Sequence, residues 1–448
     1  MLQDGDRVAV IGGGPAGSFF AYYLLKTAAL VDLQIEVDIY EPRAFTRAGP
    51  GGCNHCGGIV SESLVQILAT EGIKLPADVI QSGVESYVVH MDVGSVNIAS
   101  PAREARIAAL YRANGPRGGE ALAGIGFDGF LQGLAVEKGA RIVRNLVTGV
   151  TWRDDRPWIR EAGGAETRYD LVTVASGVNS NFLGSLADLP SPPDRPKTTR
   201  TYICEFKSTR EEIQRALGPS MHVFLMDLPR LEFAALIPKG EYVTMVMLGD
   251  DLDQELIQGF LASPVVRPVL PADAAMAACA CSPLINMGGI RRPYSERLLL
   301  IGDSGVTRLY KDGIGAAFRT AKAAAMTAVL QGVSRESFAR NYWPACRAIA
   351  NDNAIGHVIF MTTTVLKKLS FSRRAILQMT RTEQNRAGRR PHMSAVLWNM
   401  FTGSAPYREI FMATLHPGFL GNLAWNLLGA LRPSRGRPAI EPAEGGAR

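Results

Sequence analysis

Arg7-Val-Ala-Val-Ile-Gly-Gly-Gly-Pro-Ala-Gly-Ser18 decides how the rest of the chain is read. Val8 to Ile11 is an apolar run of strand length, and Gly12, Gly14 and Gly17 follow it in Gly-x-Gly-x-x-Gly spacing. The pattern predicts a buried strand that turns sharply into a helix beginning at Pro15 and Ala16. Gly12 permits the tight turn, Gly14 lets a pyrophosphate approach the backbone, and Gly17 lets helix and strand pack closely. The free N–H groups and positive end of the helix then face an anion. A second strand is expected at Gln34 to Tyr40, and Glu41 at its end is placed to take the hydroxyls of an adenosine ribose, with Arg43 just beyond it.

The chain has 448 residues, a length that suits two closely built domains and an appendage. Apolar residues make up 47% and charged residues 20%, which argues against extensive disorder. A net charge of +6 is too small to point to nucleic acid. Six cysteines are too few for a disulfide scaffold in a chain of this length, and no secretory segment precedes the first strand, so a reducing cytoplasmic setting is expected. No apolar run approaches the roughly 20 residues a membrane-spanning helix needs.

A glycine- and cysteine-rich loop follows the first unit, Gly49-Pro-Gly-Gly-Cys-Asn-His-Cys-Gly-Gly58. Glycines around two cysteines imply backbone lying flat against a ligand with thiols presented to it. Cys53 and Cys56 also have the spacing of half a zinc site, but no second pair completes it, so no metal is expected. Val84 to Ala99 reads as strands, with His90 a satisfied sheet residue. Arg112 and Arg117 in the next glycine-rich loop either reach a pyrophosphate or stay on a solvated surface. Phe127 to Gly139 has helical spacing of apolar residues, strands are expected near Ala140 to Val143 and Val147 to Thr151, and Tyr169 to Gly177 reads as a strand returning to the first unit.

Beyond the proline-rich linker at Leu189 to Pro196, four strand-like runs between Thr201 and Met247 predict an antiparallel, substrate-facing sheet. Arg297 to Ile301 is another buried strand, ending in Gly302-Asp303 and followed by Lys311-Asp-Gly-Ile-Gly315 and an alanine-rich helix. A carboxylate at the end of an apolar strand is costly unless something accepts it, and a ribitol hydroxyl would. The reading divides the chain into a nucleotide-binding domain in three parts (residues 1–83, 111–190 and 291–350), a substrate domain in two (84–110 and 191–290), a helical region at 351–432 and a tail at 433–448. The helical region has basic stretches, including Lys367, Lys368, Arg373, Arg374, Arg386, Arg389 and Arg390, and apolar pieces at Ala395 to Phe401 and Phe419 to Leu431. It suits either peripheral contact with a membrane surface or a cap on the substrate cavity.

Taken together, these elements resemble the FAD-dependent family of geranylgeranyl reductases and p-hydroxybenzoate hydroxylase-type monooxygenases, over about residues 7 to 330. The resemblance implies an α/β Rossmann-like FAD-binding domain, an inserted antiparallel-sheet substrate domain and a C-terminal helical region. It implies cofactor contacts from Gly12, Gly14, Pro15, Ala16, Gly17, Glu41 and Arg43, from Gly57, Gly58, Val147 and Gly177, and from Gly302, Asp303, Gly313, Ile314 and Gly315. Two positions depart from the family pattern: Ser176-Gly177 stands where Asp-Gly is usual, and Tyr310 replaces the usual proline.

Cys56-Gly57-Gly58 is similar to the Cys-Gly-Gly that geranylgeranyl reductases carry beside the flavin. This implies reduction of carbon–carbon double bonds in an isoprenoid or lipid-like substrate, with Cys56, Tyr310 and Lys311 as candidate proton donors. No second dinucleotide motif appears, so NADPH or a ferredoxin is the expected electron donor. The alternatives are a monooxygenase acting on an aromatic or polyketide-like substrate, and an electron-transfer protein using a Cys53/Cys56 dithiol.

Overall fold

In the computed structural model, residues 1–49, 56–100, 107–116, 126–189, 192–385 and 391–431 are described. Cys53, Arg117, Arg386, Arg389, Arg390 and the tail from 433 lie outside them, as do the questions they raised.

The opening stretch forms the strand Arg7–Ile11 and the helix Pro15–Leu30. The strand is central in a six-stranded sheet. Glu36–Tyr40 and Arg141–Val143 follow on one side, and Leu171–Val174, Leu298–Leu300 and Tyr294–Ser295 on the other. All pairings are parallel except that of the last edge strand. Alternation along the first strand divides its residues between two layers. Val8 and Val10 join the helices Pro15–Leu30, Phe127–Glu137 and Gly313–Leu330 in one apolar cluster. Ala9 and Ile11 join a second cluster with the small antiparallel meander Val147–Arg153, Arg156–Glu161 and Glu166–Arg168. Because its neighbours extend in both directions, the strand marks the point where strand order reverses, and ligands of open α/β sheets bind beyond its C-terminal end.

The larger sheet has eight strands, built on Lys197–Lys207, Tyr242–Gly249, Leu231–Lys239 and Ser220–Phe224 and continued by Ser86–Met91 and Gly94–Ala99. The four expected strands pair antiparallel with one another, and the sheet extends beyond them through one parallel pairing, of Ser220–Phe224 with Ser86–Met91, which joins segments far apart in sequence. One face packs on the helices Arg210–Leu217 and Gln254–Ala262 through Cys204, Leu236, Met245 and Met247. The opposite face, with Phe233, Ile237 and Val246, turns toward the C-terminal helices.

Those helices are Trp343–Lys368, Ser370–Gln384, Met393–Thr402, Tyr407–Thr414 and Pro417–Leu431. The basic stretch from Lys367 to Arg374 is divided at Leu369, where one helix ends and the next begins. Lys367 and Arg373 are not surface cations. Lys367 is buried, donating from Nζ to the carbonyls of Leu231 (2.8 Å) and Glu232 (2.6 Å). Arg373, also buried, pairs with Asp92 at 2.8 Å. Both fasten the helical layer to the sheet.

Candidate functional site

The glycine turn closes on itself too tightly for side chains. Gly12 has φ of +105°, and a Cβ there would lie 2.5 Å from the Ala175 carbonyl oxygen. A Cβ on Gly17 would come within 1.9 Å of the Gly12 carbonyl oxygen. Glu41 is buried at the end of its strand and accepts from the Gly13 N–H at 3.1 Å and from the Arg43 Nε at 3.0 Å. The helix that starts at Pro15 has no side-chain cap and no acid in its first turn, so its N-terminal donors keep their positive character.

A second helix, Gly313–Leu330, packs on the first and also begins without a side-chain cap. Gly302 sits between the two starts: a Cβ on it would meet the Ala16 Cβ at 2.7 Å and the Ala317 Cβ at 3.7 Å. Asp303 therefore projects where both helix ends converge. It is deeply set yet partly open to solvent. Burial raises its carboxyl above the ordinary range, and Thr307 and Arg112 only partly offset this. Its backbone is held by Asn286, which donates to the Asp303 carbonyl at 2.9 Å, while Ser304 Oγ accepts the Gly177 N–H at 2.8 Å. Gly313, Ile314 and Gly315 form the first turn of this second helix, and a Cβ on Gly315 would run into the Asp312 carboxylate at 2.1 Å.

Cys56-Gly57-Gly58 lies between the large sheet and the strand Ile107–Leu110. Gly58 has φ of +68°, and a Cβ there would strike the Leu110 carbonyl oxygen at 1.9 Å and Lys239 Nζ at 2.8 Å. Gly57 faces Val246 and Ile237. The Cys56 sulfur accepts the Gly58 N–H at 3.3 Å. Arg112 links this loop to the glycine turn. Its guanidinium would sit 3.0 Å from a Cβ on Gly14, and it is close enough to Cys56 and Asp303 to feel both. Burial lowers its pKa, but Asp128, then Cys56 and Asp303, more than reverse that, so the group stays fully charged.

No protein-family model and no curated protein matches the sequence. Solved structures do match in shape. A geranylgeranyl bacteriochlorophyll reductase-like protein from Thermoplasma acidophilum aligns with TM-score 0.66 at 17% identity, over 92% of this chain and 99% of that one. A flavoprotein/dehydrogenase from Cytophaga hutchinsonii gives 0.66 at 13%, covering 95% and 100%. The halogenase PltM, in complex with FAD, gives 0.58 at 13%, covering 95% and 91%. The fold is that of FAD-dependent flavoproteins.

The residues present fit the cofactor of that flavoprotein fold. Two uncapped helix ends and Arg112 surround a glycine cradle that a Cβ would fill, and the Asp303 carboxyl, deeply set without an ion-pair partner among the described residues, is suited to a hydroxyl-bearing chain. The expected residues do not all converge. Val147 is buried in the apolar layer with Ile11, Tyr40 and Ile159. The Tyr310 ring packs edge-on against Phe360 of the C-terminal layer, centroids 4.7 Å apart, and burial, then Glu232 and Asp250, push its hydroxyl up to about 12. Lys311 points its ammonium at Phe401 and Phe233, 4.2 and 5.0 Å from the ring centroids, and burial and Arg308 hold it well below the ordinary lysine range.

Three groups were missed in the sequence. Asp128 and Gln132 come from the helix Phe127–Glu137, and Gln132 donates to the Gly13 carbonyl at 3.1 Å. Their signal was present as polar residues within an apolar helix. Arg308 binds Asp312 at 3.4 Å and the carbonyls of Gly403 and Ala405, joining the second helix start to the C-terminal layer. Glu205 and Lys239 are almost wholly buried on the face of the large sheet beneath Gly57 and Gly58. Burial raises the Glu205 carboxyl despite Lys239 and Thr244, and Thr244 Oγ1 donates to it at 2.8 Å.

Proposed function

We propose that the chain is an FAD-dependent oxidoreductase that reduces carbon–carbon double bonds in an isoprenoid or other lipid-like substrate. The observation that carries this reading is the seating of Cys56-Gly57-Gly58. The loop lies against Val246, Ile237 and Lys239 of the large sheet, with a thiol on the side of Arg112 and the nucleotide cradle. FAD, when bound, supplies the hydride for one alkene carbon. The chain does the rest. The two helix starts and Arg112 hold the pyrophosphate, Glu41 the adenosine ribose, and Asp303 the ribityl chain. Phe233, Ile237 and Val246 exclude water and align an apolar substrate. Cys56 holds the proton for the second carbon, and Lys311 is the reserve candidate. NADPH or a ferredoxin restores the reduced cofactor.

Anaerobic turnover tests the proposal. Purified protein loaded with FAD, supplied with reductant and a polyprenyl alkene, is expected to yield a product two hydrogens heavier without oxygen. A strict oxygen requirement with a hydroxylated product would assign the fold's other chemistry, monooxygenation, and overturn the reading. A protein that stays colourless and takes up no FAD would overturn the cofactor as well.

A further inference from the structure

The last helix, Pro417–Leu431, has no part in the flavin site. Its fifteen residues include no Asp, Glu, Lys or Arg. It rests on the helix Ser370–Gln384, and Phe419 is its one buried side chain. Leu420, Ala424, Leu428 and Leu431, spaced four, four and three apart, share one face, with Trp425 on its flank. Among the described residues nothing covers that face: Trp425 is 77% exposed, Leu428 64% and Leu431 60%. A continuous apolar strip of this kind marks a surface that docks on something.

Charge selects what docks. Leaving aside Lys367 and Arg373, which are buried and paired, residues 351–431 carry seven Lys and Arg against three Asp and Glu. Arg374 and Arg381, on the supporting helix, are exposed, and so is Lys368 just before it. A second copy of the same face would bring positive charge against positive charge, whereas an anionic lipid surface would be attracted. Length sets the mode. At about 1.5 Å per residue the helix is about 22 Å long, short of the roughly 30 Å hydrocarbon core. Among the described residues no helix is long and apolar enough to cross a membrane. A helix apolar on one side, in a region with a surplus of cations, lies in the plane of the interface, where a tryptophan ring sits at headgroup level.

We propose that Pro417–Leu431 is an interfacial anchor that lays Leu420, Trp425, Leu428 and Leu431 into the surface of an anionic phospholipid bilayer. The proposal does not depend on alkene reduction, and its readout does not use activity.

Flotation of the full chain with vesicles tests it. The protein should rise with vesicles of phosphatidylcholine containing one-third phosphatidylglycerol, rise less with phosphatidylcholine alone, and lose binding as salt increases. Trp425→Asp/Leu428→Asp should cut the bound fraction at least about tenfold with an unchanged circular dichroism spectrum. Lys368→Glu/Arg374→Glu should weaken binding to the anionic vesicles while leaving the weaker attachment to phosphatidylcholine in place. The proposal is overturned if the chain floats with neither vesicle, or if the double aspartate variant floats as well as the parent. It is also overturned if the same variant abolishes a concentration-dependent dimer of a parent that does not bind vesicles, which would assign the face to a second copy.

Discussion

Arg112 grips Asp128 with two parallel bonds, Nε to Oδ1 at 3.0 Å and Nη2 to Oδ2 at 2.9 Å, directly beside Gly14. Asp128 is completely buried and Arg112 is mostly so. Removing one partner of such a pair strands the other charge, which typically costs about 3–5 kcal/mol, and the partial exposure of Arg112 places the figure toward the lower end. Asp128→Asn is therefore expected to lower unfolding free energy by about 3 kcal/mol in urea titration. A change within about 0.5 kcal/mol would show that the pair is not structural. Arg112→Met should in addition loosen FAD, read as cofactor lost on gel filtration.

Gly57 and Gly58 are adjacent but not equivalent. At Gly58 a methyl group meets backbone at 1.9 Å in a left-handed conformation, so neither the contact nor the torsion can relax cheaply. At Gly57 a methyl meets Val246 Cγ2 at 3.2 Å, a side-chain atom that can move by a few tenths of an ångström. Gly58→Ala is expected to cost more than about 2 kcal/mol and Gly57→Ala less than about 1 kcal/mol. Equal losses in thermal unfolding would contradict this account of the loop.

The nucleotide half was legible because its signals are local. Strand, glycine spacing and terminal acid lie within residues 7–41, and Gly12 and Gly17 meet backbone limits that only glycine satisfies. Asp303 was legible by its incongruity at the end of an apolar strand. What escaped depended on tertiary direction. Lys367 and Arg373 read as surface cations because nothing nearby in sequence shows that Asp92 and the Leu231 carbonyl await them. The parallel pairing of Ser220–Phe224 with Ser86–Met91 joins segments far apart in sequence, beyond the reach of periodicity.

That parallel junction carries a buried histidine pair. His222 donates from Nε2 to the Leu217 carbonyl at 3.0 Å, leaving its Nδ1 to accept from His90 Nε2 at 2.9 Å, so both rings are neutral. Burial, then the neighbouring His222, lowers His90 to about 3, and burial lowers His222 to about 4 despite the Leu217 carbonyl. In the unfolded chain both titrate near 6.5. Below that pH the unfolded chain takes up protons that the folded chain refuses, so the pair costs no stability above about pH 6.5 and lowers it toward pH 4, by a few kcal/mol. His90→Leu/His222→Leu should flatten that slope in denaturation measured from pH 7 to 4.5. An unchanged slope would place the acid sensitivity elsewhere.

Lys311 poses a competition that magnitudes decide. Its contacts with Phe233 and Phe401 favour the ammonium by about 0.5–2 kcal/mol, whereas withdrawing a charge from water costs several kcal/mol, and Arg308 adds repulsion. Burial wins, so the folded chain releases this proton well before the unfolded chain does. Stability is then reduced at neutral pH and recovers as pH rises toward the unfolded value near 10.4. Lys311→Met keeps the length and apolar stem of the side chain without the charge, and is expected to raise stability at pH 7 by about 1–3 kcal/mol and to remove the alkaline recovery. The same variant tests its chemistry. If Cys56 alone delivers the proton, Lys311→Met retains kcat within about threefold while Cys56→Ala loses at least about a hundredfold. If Lys311→Met is more stable yet loses a hundredfold, the lysine moves from reserve to proton donor.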